Sequence, residues 1–412
     1  GGPLSIDDVD WEGVRANVIR RDSIAGFNYQ FLVDAFVTAD TTTVSTPQDT
    51  TAFQLNLGDF NFKDFKVNYI DDISGMEANL DLSELELDMR KTDLETMRFE
   101  VGNVFLTDTR ISYKQTKLLP VSEDTTEVPM PYIKIKQLKL NKVVVDYNSI
   151  PDGIQAYASI GDFETKVPQI DLKNNIFDVD KLVLNNSKIE LALSTVTCSE
   201  KTEENTVETN SFEWPPYLVN IGEVTLVDNS IKYTLDGATP TKGTLNPNAI
   251  ALEKMSLGLR DIKLQDKLIT ADLLNASVIE ASGLNLEDLN FTLKVTDELI
   301  DVNDLKFKLN ENYLEGDLEV GYASLASFIE TPGSATMNLN IPNIIADLKT
   351  AFLFQPELKD NIYINKLSNR KLTGSLVATG KLDDLTIKPS RFNWGNTTFL
   401  SLQGTVYNAT NP

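Results

Sequence analysis

Apolar residues alternate with polar residues over much of this chain, a pattern typical of β-strands that bury one face. The clearest case spans residues 55–69. Its apolar positions are Leu55, Leu57, Phe60, Phe62, Val67 and Tyr69. The alternation slips by one residue at Gly58-Asp59, which predicts a bulge or a tight corner, and Lys63-Asp64 leaves room for a charged turn. The stretch is therefore predicted to form a strand, a corner, a short strand, a turn and a strand.

This apolar spacing recurs, and its copies supply the candidate residues of one apolar face. The later candidates are Val101, Val104, Leu106, Ile135, Leu138, Leu140, Val179, Leu182, Leu184, Ile221, Val224, Leu226, Leu259, Ile262 and Leu264. The second apolar residue of each copy serves as a marker. One series of markers is Leu57, Ile135, Ile221, Val302 and Leu382, with steps of 78, 86, 81 and 80 residues. The other series is Val101, Val179 and Leu259, with steps of 78 and 80 residues. Two interleaved series with a common step predict an internal repeat of about 80 residues.

The repeat also indicates how the chain is divided. Polar, low-complexity segments at 40–51, 120–131 and 198–211 precede strands of the first series, and we expect long loops on one side of a repeating object. The predicted divisions are N-terminal strands and a polar loop over 1–50, repeating groove units over 51–320, a strand with a short helical insertion over 321–356, and further groove strands over 357–412.

Helix is predicted at two places. Asn343 to Phe354 follows Pro342, which suits the start of a helix, and its apolar residues have helical spacing. The same region also fits the strand template nominally, and we interpret that fit as coincidence. A shorter helical turn is predicted over Ala323 to Ile329. The fold is therefore predicted to be all-β: an elongated, rolled, repeating β-sheet that forms a groove, with one or two short helices near 323–355.

Composition narrows the classes of function. The chain has 412 residues, of which 61 are acidic and 37 basic, and its formal net charge is -24. This charge argues against nucleic acid as a partner, because such binding draws on a basic surface. The chain has no histidine and a single cysteine, Cys198, which excludes imidazole general bases, imidazole metal ligands and an internal disulfide.

Acidic pairs are the remaining candidates for chemistry. They are Asp7-Asp8, Asp71-Asp72 and Asp383-Asp384. All three fall at predicted turns, where aspartate bonds to the backbone, and none has the spacing of a calcium-binding loop. We therefore expect a non-enzymatic protein with no catalytic residues, no metal and no cofactor.

The apolar face itself is the feature of the sequence that bears most directly on function. Each copy of the repeat turns apolar residues to one side and charged or amide residues to the other. Four copies end in a tyrosine, which is expected to close the core of its unit: Tyr69, Tyr113, Tyr147 and Tyr233. In a closed sandwich the apolar face is a sealed core. In a rolled but unclosed sheet it is a continuous trough that an apolar ligand must cover. Periodicity leaves both alternatives open.

Four segments of the chain carry a recognisable repeat. They are L-G-D-F-N-F-K-D-F-K-V-N-Y (57–69), V-G-N-V-F-L-T-D-T-R-I-S-Y (101–113), I-K-Q-L-K-L-N-K-V-V-V-D-Y (135–147) and K-L-T-G-S-L-V-A-T-G-K-L-D-D-L-T-I (371–387). These segments resemble the repeats of the TamB/AsmA-like envelope proteins of diderm bacteria, and the resemblance covers most of the chain from about residue 50 on. It implies a periplasmic, taco-shaped β-groove lined by the candidate residues.

The resemblance also implies partners and a location. Phospholipid acyl chains are the implied ligand, carried between the inner and outer membranes, and an outer-membrane β-barrel assembly protein is the implied partner in outer-membrane protein assembly. Such proteins are anchored in the inner membrane. This sequence has no apolar run long enough to span a membrane, so the anchor is expected outside this chain. We also identify no barrel-docking domain in it. The alternative is an extracellular or envelope β-repeat scaffold or adhesion module with a sealed core.

Overall fold

The structure is a computed structural model that describes residues 4–31, 55–118, 129–195 and 212–408. It has 69% of its residues in strands and 8% in helices, with one large mixed sheet of 19 strands. The prediction of an all-β chain with a few short helices is confirmed. The segments predicted as polar loops at 40–51 and 198–211, with Cys198, lie outside the described residues, as does most of 120–131.

Many of the strands are long, and several reach 17 or 18 residues. Their bounds are β1 Leu4–Glu12, β2 Arg15–Arg20, β3 Leu55–Asp71, β4 Met76–Asp93, β5 Arg98–Gln115, β6 Tyr132–Ser149, β7 Ile154–Asp171, β8 Ile176–Asn185, β9 Lys188–Leu193, β10 Leu218–Leu235, β11 Ala249–Gln265, β12 Leu268–Glu280, β13 Asn285–Val295, β14 Leu299–Leu309, β15 Asn312–Gly321, β16 Thr336–Ala346, β17 Leu372–Lys381, β18 Asp384–Trp394 and β19 Thr398–Tyr407. Short helices in the second half of the chain are α1 Leu325–Glu330, α2 Ala351–Phe354 and α3 Ile362–Leu367, with 3-10 turns at Pro332–Ser334, Leu348–Thr350 and Pro356–Asp360.

Contacts between residues divide the chain into two compact units. Unit 1 comprises residues 1–176, 183–197 and 233–237, and unit 2 comprises 177–182, 198–232 and 238–412. In unit 1, β1 and β2 each run parallel to β3, and β3, β4 and β5 are antiparallel. β5 and β6 then pair in parallel, followed by antiparallel β6, β7 and β9. The parallel pair keeps equivalent repeat positions side by side, as in Val104 and Leu138.

Unit 2 contains an antiparallel meander from β11 to β19, in which each strand pairs with the next along the chain. An apolar row crosses six of these strands. It consists of Leu293, Val302, Leu318, Leu339, Ala378 and Ile387. The alternation that predicts one apolar face therefore applies to this unit too.

The turn predicted at Lys63-Asp64 is wrong. β3 runs without a break from Leu55 to Asp71, and Asp64 takes the left-handed backbone conformation with a φ of 54°. This one residue reverses the alternation, so that Phe62 and Phe65 lie on the same face with ring centroids 4.8 Å apart. Aspartate tolerates this conformation, and the strand keeps its pairing on both sides of it.

The left-handed residue recurs at the equivalent place in six copies of the repeat. These residues are Asp64, Asp108, Lys142, Asn186, Asp228 and Asp266, with φ between 43° and 54°. In five copies the residue that follows is buried. These buried residues are Phe65, Thr109, Val143, Ser187 and Asn229. The repeat predicted from apolar spacing therefore also has a backbone signature.

The one-residue slip in the apolar spacing coincides with register shifts in two copies of the repeat, although β1 pairs with β3 in one register across Gly58-Asp59, where the bulge or corner is predicted. The pairing of β4 with β5 shifts register on either side of Met89, opposite Val101, and that of β6 with β7 shifts on either side of Ile135. These shifts are bulges that keep the apolar residues on one face. In β3 the slip does not end the strand, so the predicted short strand is part of one continuous element.

The helix predicted over Asn343 to Phe354 is wrong for most of its length. Residues up to Ala346 belong to β16, where Ile344 pairs with Leu314 on one side and Gly374 on the other. Pairing along both edges overrides the helical spacing. The fit to the strand template, interpreted above as coincidence, is therefore real, and only the last four residues are α-helical.

The helical turn predicted over Ala323 to Ile329 is confirmed as α1, whose first turn is capped by the Ser324 side chain. Asp7 and Asp8 lie inside β1 and not at the predicted turn, because β1 pairs with β3 along its length. Among the described residues, none of the helices is long and apolar enough to cross a membrane.

Candidate functional site: the apolar face

Strand pairing brings the candidate residues of unit 1 together in rows. One row is Phe60, Leu87, Val104, Leu138 and Thr165. The next is Phe62, Leu85, Leu106, Leu140 and Phe163, and a third is Val67, Leu80, Ile111, Val145 and Ala158. Candidates from β3, β5 and β6 thus share one face with residues of β4 and β7, which the candidate set omits.

All candidate side chains that the structure describes are half-buried. For Leu55 only the backbone is described, and each of the other candidates is neither fully buried nor exposed. Side chains covered by a second layer of structure become fully buried, as core residues do. Over the described residues, the apolar face is therefore partly accessible to solvent.

The opposite face of the same strands is charged. Lys63 pairs with Glu84 at 3.1 Å, and Lys66 with Asp81 at 2.7 Å. Between β6 and β7, the Asn141 amide donates to Asp162 at 2.6 Å. Unit 1 therefore presents one apolar and one solvated face, as expected of strands with alternating residues.

One row of the apolar face is fully buried, and we call it the buried row. In unit 1 it consists of Phe65, Thr109 and Val143, which follow the left-handed residues of their strands and are 7%, 2% and 2% exposed, and of Leu82, which pairs with Phe65 and is 5% exposed. The Thr109 hydroxyl donates to the carbonyl of Thr107 at 3.0 Å. The apolar template missed this row because several copies have a polar residue there. A signal was available in the Asp or Asn that usually precedes it.

Aromatic rings fill the face at the β1 edge. Trp11 stacks on Phe62 and Phe65 with ring centroids 5.9 Å and 6.3 Å apart, and Phe60 contacts Phe62 edge to face at 5.9 Å. Trp11 is nevertheless 57% exposed. The aromatic cluster is thus covered from the sheet side and accessible from the other.

A row of tyrosines borders the apolar rows. Tyr69, Tyr113 and Tyr147 lie in it, and the rings of Tyr113 and Tyr147 stack with centroids 5.3 Å apart and planes at 8°. Burial raises the pKa of Tyr69 and of Tyr113. All three are half-buried, as is Tyr233, and the expectation that these tyrosines close a core stays a prediction.

Beyond the tyrosines the face ends in buried polar groups. Asp71, Gln115 and Ser149 are 2%, 4% and 1% exposed. Arg20 donates from Nε to Asp71 Oδ1 at 2.8 Å, and this bond holds the pKa of the carboxyl well below its usual range. The Gln115 amide donates to the Ser74 carbonyl at 2.8 Å. The apolar surface therefore has a fixed polar border at this end of the strands.

The site offers a broad apolar surface. Among the described residues, no three acidic or cysteine side chains are grouped to hold a metal ion. Comparisons of the chain with protein-family models, curated proteins and solved structures find no match. The resemblance to TamB/AsmA-like proteins therefore rests on the repeat units in the sequence.

Proposed function

We propose that this chain binds phospholipid acyl chains along its apolar face and carries phospholipid between two membranes, without catalysing a reaction. The observation that carries the proposal is the half-burial of the candidate side chains. A folded protein leaves a continuous apolar surface partly open only where another apolar group covers it. An acyl chain fits this requirement, because it needs no hydrogen-bond partner.

The free energy of binding comes from burial of methylenes, about 0.8 kcal/mol each. Successive rows of the face have similar residues, such as Leu85, Leu106 and Leu140 in one row and Leu87, Val104 and Leu138 in the next. A surface of uniform hydrophobicity has no deep energy minimum. Lipid is therefore free to move along it, which transport requires.

The polar border gives the bound lipid an orientation. Acyl chains lie on the apolar rows, on one side of the tyrosine row, and the head group is excluded from these rows by the cost of desolvating its charge. Tyr113, with its ring on the apolar side and its hydroxyl donated to Gln115 at 2.8 Å, suits this boundary.

The cellular setting of the proposal comes from the resemblance of the repeat units. By that resemblance, the chain works in the periplasm of a diderm bacterium, tethered to the inner membrane, with an outer-membrane β-barrel assembly protein as partner. Outer-membrane protein assembly is then the process that the lipid transport supports. The other candidate function, a scaffold or adhesion module with a sealed core, predicts full burial of the same residues.

Lipid extraction and native mass spectrometry of the purified chain test the proposal. We expect co-purified phospholipid, and photo-crosslinking to acyl chains from a probe at Phe60 or Leu138. A probe at Lys139, whose side chain lies on the other face, is the matched control. Lipid-free protein that takes up no hydrophobic dye while folded, with no crosslinks from either apolar position, would favour the sealed scaffold and exclude lipid binding.

A further inference from the structure

The segment between β16 and β17, residues 347–371, forms a helical lobe whose charge differs from that of the rest of the chain. It contains α2, α3 and two of the 3-10 turns. Its basic residues are Lys349, Lys359, Lys366, Arg370 and Lys371, against Asp347, Glu357 and Asp360. The helical lobe is therefore net basic in a chain whose formal charge is -24.

Large apolar side chains of the helical lobe are exposed. Tyr363 is 75% exposed, Ile362 61% and Phe354 51%. Leu367 and Leu348 are also exposed. Exposed apolar groups on this scale, in one short segment, mark a surface that another molecule covers.

The α3 helix places its own exposed apolar side chains next to one another. Tyr363 and Leu367 are four residues apart, as are Ile362 and Lys366, and residues with this spacing are neighbours on a helix surface. Lys366 is exposed beside the apolar side chains. An apolar face flanked by lysine is the arrangement found in segments that lie in a membrane interface.

The helical lobe is fixed to the sheet of unit 2, so its exposed residues do not belong to a loose loop. Phe352 is buried, and the Leu353 carbonyl accepts from the Leu245 amide at 2.7 Å. The Trp394 indole donates to the Leu367 carbonyl at 3.0 Å. The apolar side chains of α3 are therefore held outward by a rigid attachment.

A basic cleft lies where the helical lobe joins β17. It has a volume of about 580 Å³ and is lined by Arg370, Lys371, Thr373, Gly395, Asn396 and Thr397. None of these described lining residues has a carboxylate. Arg370 is held over the Trp394 ring at 5.2 Å and donates to Thr397 at 2.8 Å, while Lys371 pairs with Glu311 at 2.5 Å. The cleft presents the positioned guanidinium of Arg370 to an anionic group, while the charge of Lys371 is paired with Glu311.

We propose that the helical lobe docks the protein onto an anionic phospholipid surface. Ile362, Tyr363 and Leu367 enter the boundary between head groups and acyl chains, and the lysines and Arg370 pair with lipid phosphates. Charge favours this occupant, because an anionic surface repels the acidic remainder of the chain and attracts the helical lobe. Docking is thereby restricted to one orientation.

This docking site is separate from the apolar face, and the two proposals fail separately. Docking is read from association with intact vesicles, whereas lipid carriage is read from lipid extracted from the folded protein. If the protein carries lipid but does not bind vesicles, only the proposed docking site is refuted.

Vesicle flotation of the full chain tests docking. We expect the chain to bind vesicles of phosphatidylcholine with phosphatidylglycerol much better than phosphatidylcholine alone. Ile362→Ser combined with Tyr363→Ser should weaken binding about tenfold or more, since two interfacial side chains are lost. Ile24→Ser is the matched control, because Ile24 is 97% exposed outside the helical lobe, and it should bind as the parent chain does.

Two further variants separate the roles of charge and insertion. Lys359→Glu with Lys366→Glu should remove the preference for phosphatidylglycerol. In Tyr363→Trp, lipids brominated on their acyl chains should quench the fluorescence of the introduced indole. Equal binding to neutral and anionic vesicles, equal loss in the Ile24 control, or no quenching would each overturn the proposal. A change in oligomeric state without vesicle binding would assign the helical lobe to self-association and would likewise overturn it.

Discussion

The ammonium nitrogen of Lys142 lies 3.9 Å from Oδ1 of Asp108, and both residues have the left-handed backbone conformation at equivalent points of β6 and β5. The two strands are parallel and in register there, with Thr109 beside Val143. The ion pair is exposed on both sides and therefore contributes little to stability. Both residues have the left-handed backbone conformation, which costs lysine conformational free energy.

Lys142→Gly should therefore stabilise the chain. Lysine in the left-handed region costs roughly 1–2 kcal/mol, and glycine relieves this while adding a smaller entropic penalty. We expect a net gain of about 0.5–1 kcal/mol, measured as a higher midpoint of urea unfolding. Lys136→Gly, in the same strand without a positive φ, is the control and should lower the midpoint. Equal effects at the two positions would refute the account.

Val143 and Val145 allow the contribution of the buried row to stability to be compared with that of the partly exposed rows. Both lie in β6, but Val143 is 2% exposed whereas Val145 is half-buried. Val143→Ala should lower the free energy of unfolding by about 1–3 kcal/mol, because it removes two methyl groups and leaves a cavity. Val145→Ala should cost less than half as much. Similar losses at both positions would show that the apolar face is sealed after all.

Hydrophobic alternation predicted the β content of the chain because a sheet with one apolar and one solvated face imposes a period of two on each strand. It could not predict that β3 continues through Lys63-Asp64, since apolar spacing carries no information on φ. Aspartate or asparagine at the same place in most copies was a usable signal, because these residues tolerate the left-handed region.

Other errors have a tertiary cause. Thr109, Ser187 and Asn229 are buried at positions that an apolar template treats as free, and their burial follows from neighbouring strands. The residues around Ile344 have helical spacing, yet partners on both sides hold them in a strand. In that case strand pairing determined the secondary structure, although the local spacing of apolar residues is helical. The prediction of lipid as ligand came from resemblance, and it stays a prediction.

Gly316 and Gly404 provide a matched test of backbone crowding in unit 2. Their φ angles are 152° and 153°, but a Cβ at Gly316 would lie 2.1 Å from the Asn340 carbonyl oxygen, whereas one at Gly404 meets nothing within 4 Å. Alanine at either position carries backbone strain of about 1–3 kcal/mol. Gly316→Ala should cost a further 1–3 kcal/mol or so, because strands β15 and β16 must separate.

Circular dichroism during thermal unfolding would measure the two glycine variants side by side. The melting temperature of Gly316→Ala should be clearly below that of Gly404→Ala. If Gly404→Ala were the less stable of the two, close approach of β16 to β15 would not be the reason for glycine at position 316.

The pair of Arg20 and Asp71 predicts how acid affects unit 1. Asp71 is buried, accepts from Arg20 and from the backbone amide of Ile73, and bonds to Ser74. These bonds lower its pKa in the folded chain, chiefly through the arginine. A carboxyl with a lowered folded-state pKa stabilises the fold above its unfolded pKa of about 4, and this contribution is lost as the pH falls through the range below that value.

Asp71→Asn should therefore have a lower urea midpoint than the parent chain at pH 7, and the difference should shrink as the pH falls below about 4. Asparagine has no carboxylate charge to lose, so the free energy of unfolding of the variant falls less than that of the parent chain as the pH falls. Asp72→Asn is the control, because the Asp72 side chain is exposed next to the same turn, and it should follow the parent curve closely. A constant gap between Asp71→Asn and the parent chain from pH 7 down to acid unfolding would show that the carboxylate charge contributes nothing, and that Asp71 acts only through its neutral hydrogen bonds.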